Sequence, residues 1–257
     1  MKKQVILLAL TAVFVLFFSC NKNKENQRSN PAGFEDYKSS AADAGESNAG
    51  KQGYALRVNT GFYIINDEDK GDSTTAVKWD SGLTLGDSVT LGKPRKLTYD
   101  KKEWDFVEVR LTNKKQGFAI ANQISVGGRL AVVIEEKANL FSEPTVAKAT
   151  NTVVARKTVL VYFPETESGG FVEIKGFDYE TKYLISGFMR LASFSRNDSD
   201  IQSSILLQTA EAMTSDKQTV AKTAILKAAV QDYPDSIFNN EIRKLVSPND
   251  SLFDDDY

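Results

Sequence analysis

The chain has 257 residues, 41% hydrophobic and 26% charged, with a formal net charge of −2. That is enough apolar material for a core in one or two domains, and a balance so close to neutral leaves no electrostatic footprint for nucleic acid. There is no histidine and a single cysteine, Cys20, which excludes Ser/His/Asp and Cys/His catalysis, histidine-ligated zinc and any disulfide within the chain.

In chain order, Lys2 and Lys3 precede an apolar run from Val5 to Phe18, followed by Ser19, Cys20 and a polar Asn21. The run is shorter than the roughly 20 apolar residues that a membrane span needs, and its layout is that of a secretory signal. Phe17 sits where ordinary signal cleavage wants a small side chain, and the cysteine closes the run. The segment LFFSC, residues 16–20, resembles the relaxed lipobox of bacterial lipoproteins. The resemblance implies a signal peptide over 1–19, cleavage before Cys20 and acylation of Cys20. Several acyl chains would then hold the protein stably on a membrane of the bacterial cell envelope.

Residues 20–53 begin with that cysteine and continue in Asn, Lys, Ser, Gly, Ala and Glu, with Phe34 and Tyr37 the only aromatics. Such a composition buries no core and is expected to be a tether with a reach of about 30 Å. From Tyr54 to Val126 short runs alternate with period two: FYII at 62–65, SVTL at 88–91, FVEVRL at 106–111 and GFAI at 117–120. This is an all-β signature, and in FVEVRL it places Val107, Val109 and Leu111 on a core face, opposite Phe106, Glu108 and Arg110.

FVEVR at Phe106 to Arg110 returns as FVEIK at Phe171 to Lys175, 65 positions on, and the same spacing carries Phe118, Ala119 and Ile120 onto Tyr183, Leu184 and Ile185. An internal repeat of two strands follows. The run LTLGDSVTLG, 83–92, followed by WDFVEVRLTNKKQGFA, 104–119, resembles the bacterial SH3 (SH3b) domain, with Gly117-Phe118-Ala119 in place of the family's Gly-Trp-Val. A second copy, with NLFSEP at 139–144, KTVLVY, FVEIK and KYLISGFMRL, resembles the same family and puts Lys182 where the closing-strand glycine belongs. The resemblance implies one small barrel over 54–127 and another over 128–196, and the short link from Val126 to Arg129 predicts that they touch.

After Asn197 the period becomes helical. Asp200 can cap a helix with Ile201, Ile205, Thr209 and Ala212 on one face. Ser215 with Gln218 makes a capping box for a second helix lined by Val220, Ala224 and Ala228. Asp235 or Ser236 opens a third, with Ile237, Ile242, Leu245 and Val246, stopped by Pro248. The piece AAVQDYPDSIFNNEIRKLV resembles one helix–turn–helix of tetratricopeptide-like repeats. Without a second 34-residue period, segment 197–248 is expected to pack on the second barrel instead. Residues 249–257 form an acidic tail.

The expected fold class is mainly β with an α C-terminus: two small SH3-like β-barrels in tandem, then about three helices. Asn66 to Asp72 crowds carboxylates around Gly71, but EF-hand spacing would put Lys70 at a ligand position and Val77 where a bidentate Glu belongs. No metal or cofactor is expected. Lys93 to Lys102 holds five cations, which suits a solvated hairpin.

The candidates for ligand recognition are Tyr63, Trp79, Tyr99 and Trp104, placed in loops or at strand ends of the first unit, because large rigid side chains bind at low entropy cost. The function expected from the resemblance is non-catalytic binding of a cell-wall peptide or glycan by a membrane-anchored protein. The alternatives are an envelope scaffold holding a protein peptide and, behind it, a wall hydrolase using two carboxylates.

Overall fold

The computed structural model describes residues 48–65 and 76–246. The signal and Cys20, most of the tether, the acidic stretch Asn66 to Asp72 and the acidic tail lie outside the described residues. What is described is mainly β, with three α-helices at its C-terminal end. Among the described residues no helix is long and apolar enough to cross a membrane.

The first antiparallel sheet has six strands: β1 (Gln52–Tyr54), β2 (Thr60–Ile65), β3 (Val77–Leu83), β4 (Ser88–Tyr99), β5 (Lys102–Leu111) and β6 (Gln116–Ile120), in the order β1-β4-β5-β6-β2-β3. The second has seven: β7 (Arg129–Val133), β8 (Lys137–Phe141), β9 (Ala149–Ala155), β10 (Val159–Ser168), β11 (Phe171–Phe177), β12 (Leu184–Arg190) and β13 (Phe194–Ser195), in the order β13-β7-β10-β11-β12-β8-β9. Apart from β13 the two orders are one order. The repeat seen in two strands of sequence is therefore a repeat of six strands in space.

Register makes the equivalence residue by residue. Val107 pairs with Ala119 and Val172 with Met189; Tyr63 pairs with Phe118 and Phe141 with Phe188. A 3-10 turn follows the sixth strand in each copy, Ala121–Gln123 and Leu191–Ser193, and leads to the pairs Ala55 with Ile124 and Val133 with Phe194. The inner faces are filled from the same positions: Phe62, Val89, Leu91, Val107, Val109, Ala119 and Ile124 in the first sheet, Leu140, Leu160, Tyr162, Val172, Ile174, Met189 and Phe194 in the second. Volume is traded across the core, large Phe62 with small Ala119 against Leu140 with Met189. Hydrophobic cores tolerate such exchanges.

The constant spacing of 65 holds for one strand only. Phe118 corresponds to Phe188, not Tyr183, because the turn between β11 and β12 is five residues longer than that between β5 and β6. The closing-strand glycine of the second copy is thus Gly187, not Lys182. It does the work of Gly117: a Cβ on Gly117 would lie 2.4 Å from the Tyr63 carbonyl oxygen, and one on Gly187 2.8 Å from that of Phe141.

The longer turn is capped by Asp178. Its Oδ2 accepts from the Ala155 N–H at 2.8 Å, and its Oδ1 accepts from the N–H groups of Glu180 and Thr181 and from the Thr181 hydroxyl. Burial alone would push this carboxyl up, but those donors outweigh it and hold the pKa below the ordinary carboxylate value. The stabilisation is expected to be complete above the unfolded-state pKa, near 4, and to fade as pH falls through the lower folded value. Urea midpoints of wild type and Asp178→Asn, measured from pH 7 to 2, should converge at the acid end; a constant gap would contradict the assignment.

Three helices complete the chain: α1 (Asp198–Glu211), α2 (Thr219–Asp232) and α3 (Asn239–Val246). The cap of α1 is Asn197, whose side chain accepts from the Ser199 N–H, rather than Asp200. Asp200 is buried and ties α1 to its surroundings instead, accepting from the Ser195 hydroxyl and the Ile237 N–H. The Ser215/Gln218 capping box is present and heads a 3-10 turn that runs into α2.

Val220, at 83% exposure, and Ala224 face solvent; the buried line of α2 is Ala221, Ile225, Leu226 and Ala229. In the third segment Ile237 and Leu245 are exposed, while Phe238 and Ile242 are buried. In α2 small alanines leave two faces nearly equal in apolarity, and packing chooses between them. Ile237 precedes α3, and its N–H donates to Asp200.

The helices share one core with Val132 and Val159 on the outer face of the second sheet and with Leu85 in the turn after β3. A Cβ on Gly86 in that turn would meet Ile205 of α1 at 2.8 Å. On the other side, the carbonyl of Lys157 in the β9–β10 turn accepts from Ser204 and Gln208 of α1. Arg156 and Lys157 both pair with Glu241 of α3. The β3–β4 and β9–β10 turns are equivalent in the repeat, so the helical segment braces the two sheets through the same turn of each.

Candidate functional site

The outer face of the first sheet carries the candidate site, and a β-bulge builds it. In β4 the register slips between Leu91 and Pro94. Before the slip the odd residues Val89 and Leu91 face the inner core; after it Arg95, Leu97 and Tyr99 lie opposite Phe106, Trp104 and Lys102 on the other face. One extra residue flips every side chain beyond it. Gly92 permits the bulge, since a Cβ there would lie 2.7 Å from the Glu108 side chain, and Glu108 then holds it: its carboxylate accepts from the Lys93 N–H at 3.2 Å and from Arg95 Nε at 2.6 Å.

The hairpin thereby lays a second cluster on the face that sequence alternation assigned to solvent. Tyr63, Val77, Leu97, Phe106 and Ile120 are buried in it, with Tyr99, Trp104 and Phe118 packed against them. The Tyr63 ring meets Tyr99 edge-on at 4.8 Å and Phe106 at 5.2 Å, the offset geometry that aromatic quadrupoles favour. Tyr63 is 6% exposed and lies inside β2 rather than in a loop or at a strand end. Burial first, and the neighbouring Tyr99 second, push its hydroxyl up to about 12, so it stays protonated and able to donate.

The cross-strand pairs Glu108 with Phe118, Phe118 with Tyr63 and Tyr63 with Trp79 run as one row over β5, β6, β2 and β3. Trp79 ends it with 45% exposure. All four aromatics singled out in the sequence therefore converge: Tyr63 as the buried base, Tyr99 and Trp104 as half-buried flanks, and Trp79 as the ring open to solvent. Phe118, Glu108 and Arg95 were missed. The signal for them was the Gly92-Lys93-Pro94 step, which marks a bulge and so a change of face.

The ion pair of Arg95 with Glu108, at 2.6 Å, borders the row, and Lys115 pairs with Asp80 at the same distance over the Phe62 ring. Burial would raise Asp80, but its hydrogen bonds from Lys115 and Ser81 prevail and lower it. The border is thus polar yet locally neutral, and it offers hydrogen bonds beside a flat aromatic face. Among the described residues no group of three or more acidic or cysteine side chains is placed to hold a metal.

The second sheet keeps the row in reduced form: Glu173, Phe188 and Phe141, with Ala149 where the first has Trp79. Phe141 and Phe171 repeat the edge-on pair of Tyr63 and Phe106, at 5.0 Å and 77° against 5.2 Å and 79°. No protein-family model matches the sequence, and no curated protein matches it either.

Among solved structures, NlpC2 from Trichomonas vaginalis is 13% identical, over 63% of this chain and 55% of that one, with a TM-score of 0.19. NlpC1 from Trichomonas vaginalis is 15% identical, over 62% of this chain and 52% of that one, with a TM-score of 0.20. The chain spans about half the length of these two proteins. TM-scores this low do not indicate a shared fold.

Proposed function

We propose that the protein is a lipid-anchored component of a bacterial envelope, held by Cys20, whose two β units are SH3b-like barrels and bind a cell-wall peptide or glycan without catalysis. The observation that carries the binding reading is Trp79: a large ring left open to solvent at the end of a row whose other aromatics are buried or half-buried and therefore rigid. Rigid aromatic surface binds at low entropy cost, and its polar border can satisfy hydroxyl or amide groups of a wall fragment. Support for the barrel reading comes from the repeated strand order and from the two glycines, Gly117 and Gly187, at the closing strand of each unit.

The test is co-sedimentation of the full-length chain, solubilised in mild detergent, with purified cell wall. Pelleting should tolerate salt and fall about tenfold or more in the Trp79→Ala, Tyr99→Ala double variant, the size of effect that loss of a central aromatic anchor has elsewhere. No pelleting above an albumin control would count against wall binding and turn the search to a protein partner.

A further inference from the structure

The two copies differ in charge at the edge of the aromatic cluster. Ile120, buried at the edge of the first aromatic cluster, corresponds to Arg190 in the second unit, since each lies opposite the first residue of the repeated strand, Phe106 and Phe171. Arg190 is exposed, and its guanidinium carbon lies 5.9 Å from the centroid of Phe141 and 5.8 Å from that of Phe171. Two ring faces thus hold a planar cation in place.

Arg95 and Arg156 each hold a carboxylate, but among the described residues Arg190 makes no ion pair. Its surroundings are open. The neighbouring Leu191 N–H donates to the carbonyl of Gly170 in the β10–β11 turn; a Cβ on Gly170 would meet nothing within 4 Å, and one on Gly169 only the Pro144 carbonyl at 4.0 Å. The helical brace on Val132 and Val159 and the Arg57 side chain over Phe177 both sit at the Phe177 end of β11, whereas Arg190 stands opposite Phe171 at its other end, away from either cover.

We propose that Arg190, seated on Phe141 and Phe171, binds the free C-terminal carboxylate of a short peptide. A guanidinium fork matches a carboxylate with two parallel N–H···O bonds, and stacking on the rings pre-orders the fork. The choice of a carboxylate over a phosphate follows from charge. One cation stands here, with the Glu173 carboxylate opposite Phe188 on the same face and the nearby Lys148 already paired with Glu143 at 3.2 Å, so a phosphate dianion would go at best half-neutralised. The open glycine turn beside it leaves room for a small terminal side chain. This inference rests on the reading of the units as peptide-binding modules and names what the second unit takes.

The test uses N-acetyl-Ala-Ala as the free acid and as the C-terminal amide, in saturation-transfer NMR with the full-length chain. The acid should saturate about fivefold or more strongly than the amide, a gap of about 1 kcal/mol. Arg190→Gln should bring the acid down to the amide level, and Arg190→Lys, which keeps the charge but not the fork, should restore only part of the preference.

Trp79→Ala should leave the preference intact even where wall pelleting is lost, so failure here and failure of the wall reading can be told apart. Equal saturation by acid and amide, no saturation by either at millimolar peptide, or displacement of the acid by equimolar inorganic phosphate would each overturn the proposal.

Discussion

Gly117→Ala is expected to destabilise the first sheet by about 3 kcal/mol or more, although alanine ordinarily stabilises where glycine is not required. The added Cβ would stand 2.4 Å from the Tyr63 carbonyl oxygen and 2.5 Å from the Phe62 ring. A side chain can turn away, but a carbonyl in a paired strand cannot move without shifting β2. Such a shift breaks the Tyr63 with Phe118 pairing on which the aromatic row depends.

Gly82→Ala is the control. Its nearest neighbour outside the adjoining residues lies 3.6 Å away, at Asn59, and its effect should stay within about 1 kcal/mol. Urea denaturation followed by circular dichroism separates the two. Equal midpoints would mean that the close crossing of β2 and β6 is not what the first sheet depends on. Because a loss of about 3 kcal/mol is a large share of the 5–15 kcal/mol typical of a folded chain, Gly117→Ala should also lose wall binding at 37 °C.

Phe238→Ala is expected to cost about 3–5 kcal/mol, the range for emptying a large buried aromatic site. Phe238 is fully buried between α1, α2 and α3, and the Arg156 guanidinium lies 5.1 Å above its ring. Its loss therefore reaches both the helical core and the β9–β10 turn that Arg156 belongs to. The YPDS turn before it is committed to the same core: the Ser236 hydroxyl lies 2.6 Å from that of Ser203, and the Tyr233 carbonyl accepts from Asn239.

Hydrogen exchange should show protection lost together in α1, α3 and the β3–β4 turn around Gly86, since the brace spans both units. Protection lost in the helices alone, with the Gly86 turn unchanged, would mean that the brace does not hold the first sheet. Rigid placement bears on binding, because two sites on one body lose less freedom when they engage a common polymer than two on a loose chain.

Much of the fold could be read from residues because local signals agreed. FVEVR and FVEIK marked the duplicated strand, period-two runs marked its neighbours, and the shift to helical period after Asn197 marked the brace. What stayed hidden depended on length or on packing. Equivalent residues lie 78 positions apart in β2 and β8 (Phe62, Leu140), 65 in β5 and β11 (Phe106, Phe171) and 70 in β6 and β12 (Phe118, Phe188), so no single spacing aligns the copies.

The true partner of Phe118 was obscured by a longer turn that Asp178 caps. The aromatic face was obscured by a bulge, since alternation read straight through Gly92 puts Leu97 and Tyr99 on the inner face and leaves Phe106 without the apolar neighbours that bury it. The four recognition candidates could be named as aromatics but not as a cluster, because their meeting depends on that one extra residue.

Trp79 and Trp104 are the only tryptophans in the chain, and Trp104→Phe leaves Trp79 as the sole indole reporter. The most direct measurement is the emission of this variant, full-length in mild detergent, titrated with soluble fragments of purified cell wall. The expected result is a saturable shift to shorter wavelength as the half-exposed ring is covered, reversed on dilution. An unchanged spectrum under conditions where the same variant pellets with whole wall would place the contact elsewhere and contradict a site built on the Trp79 row.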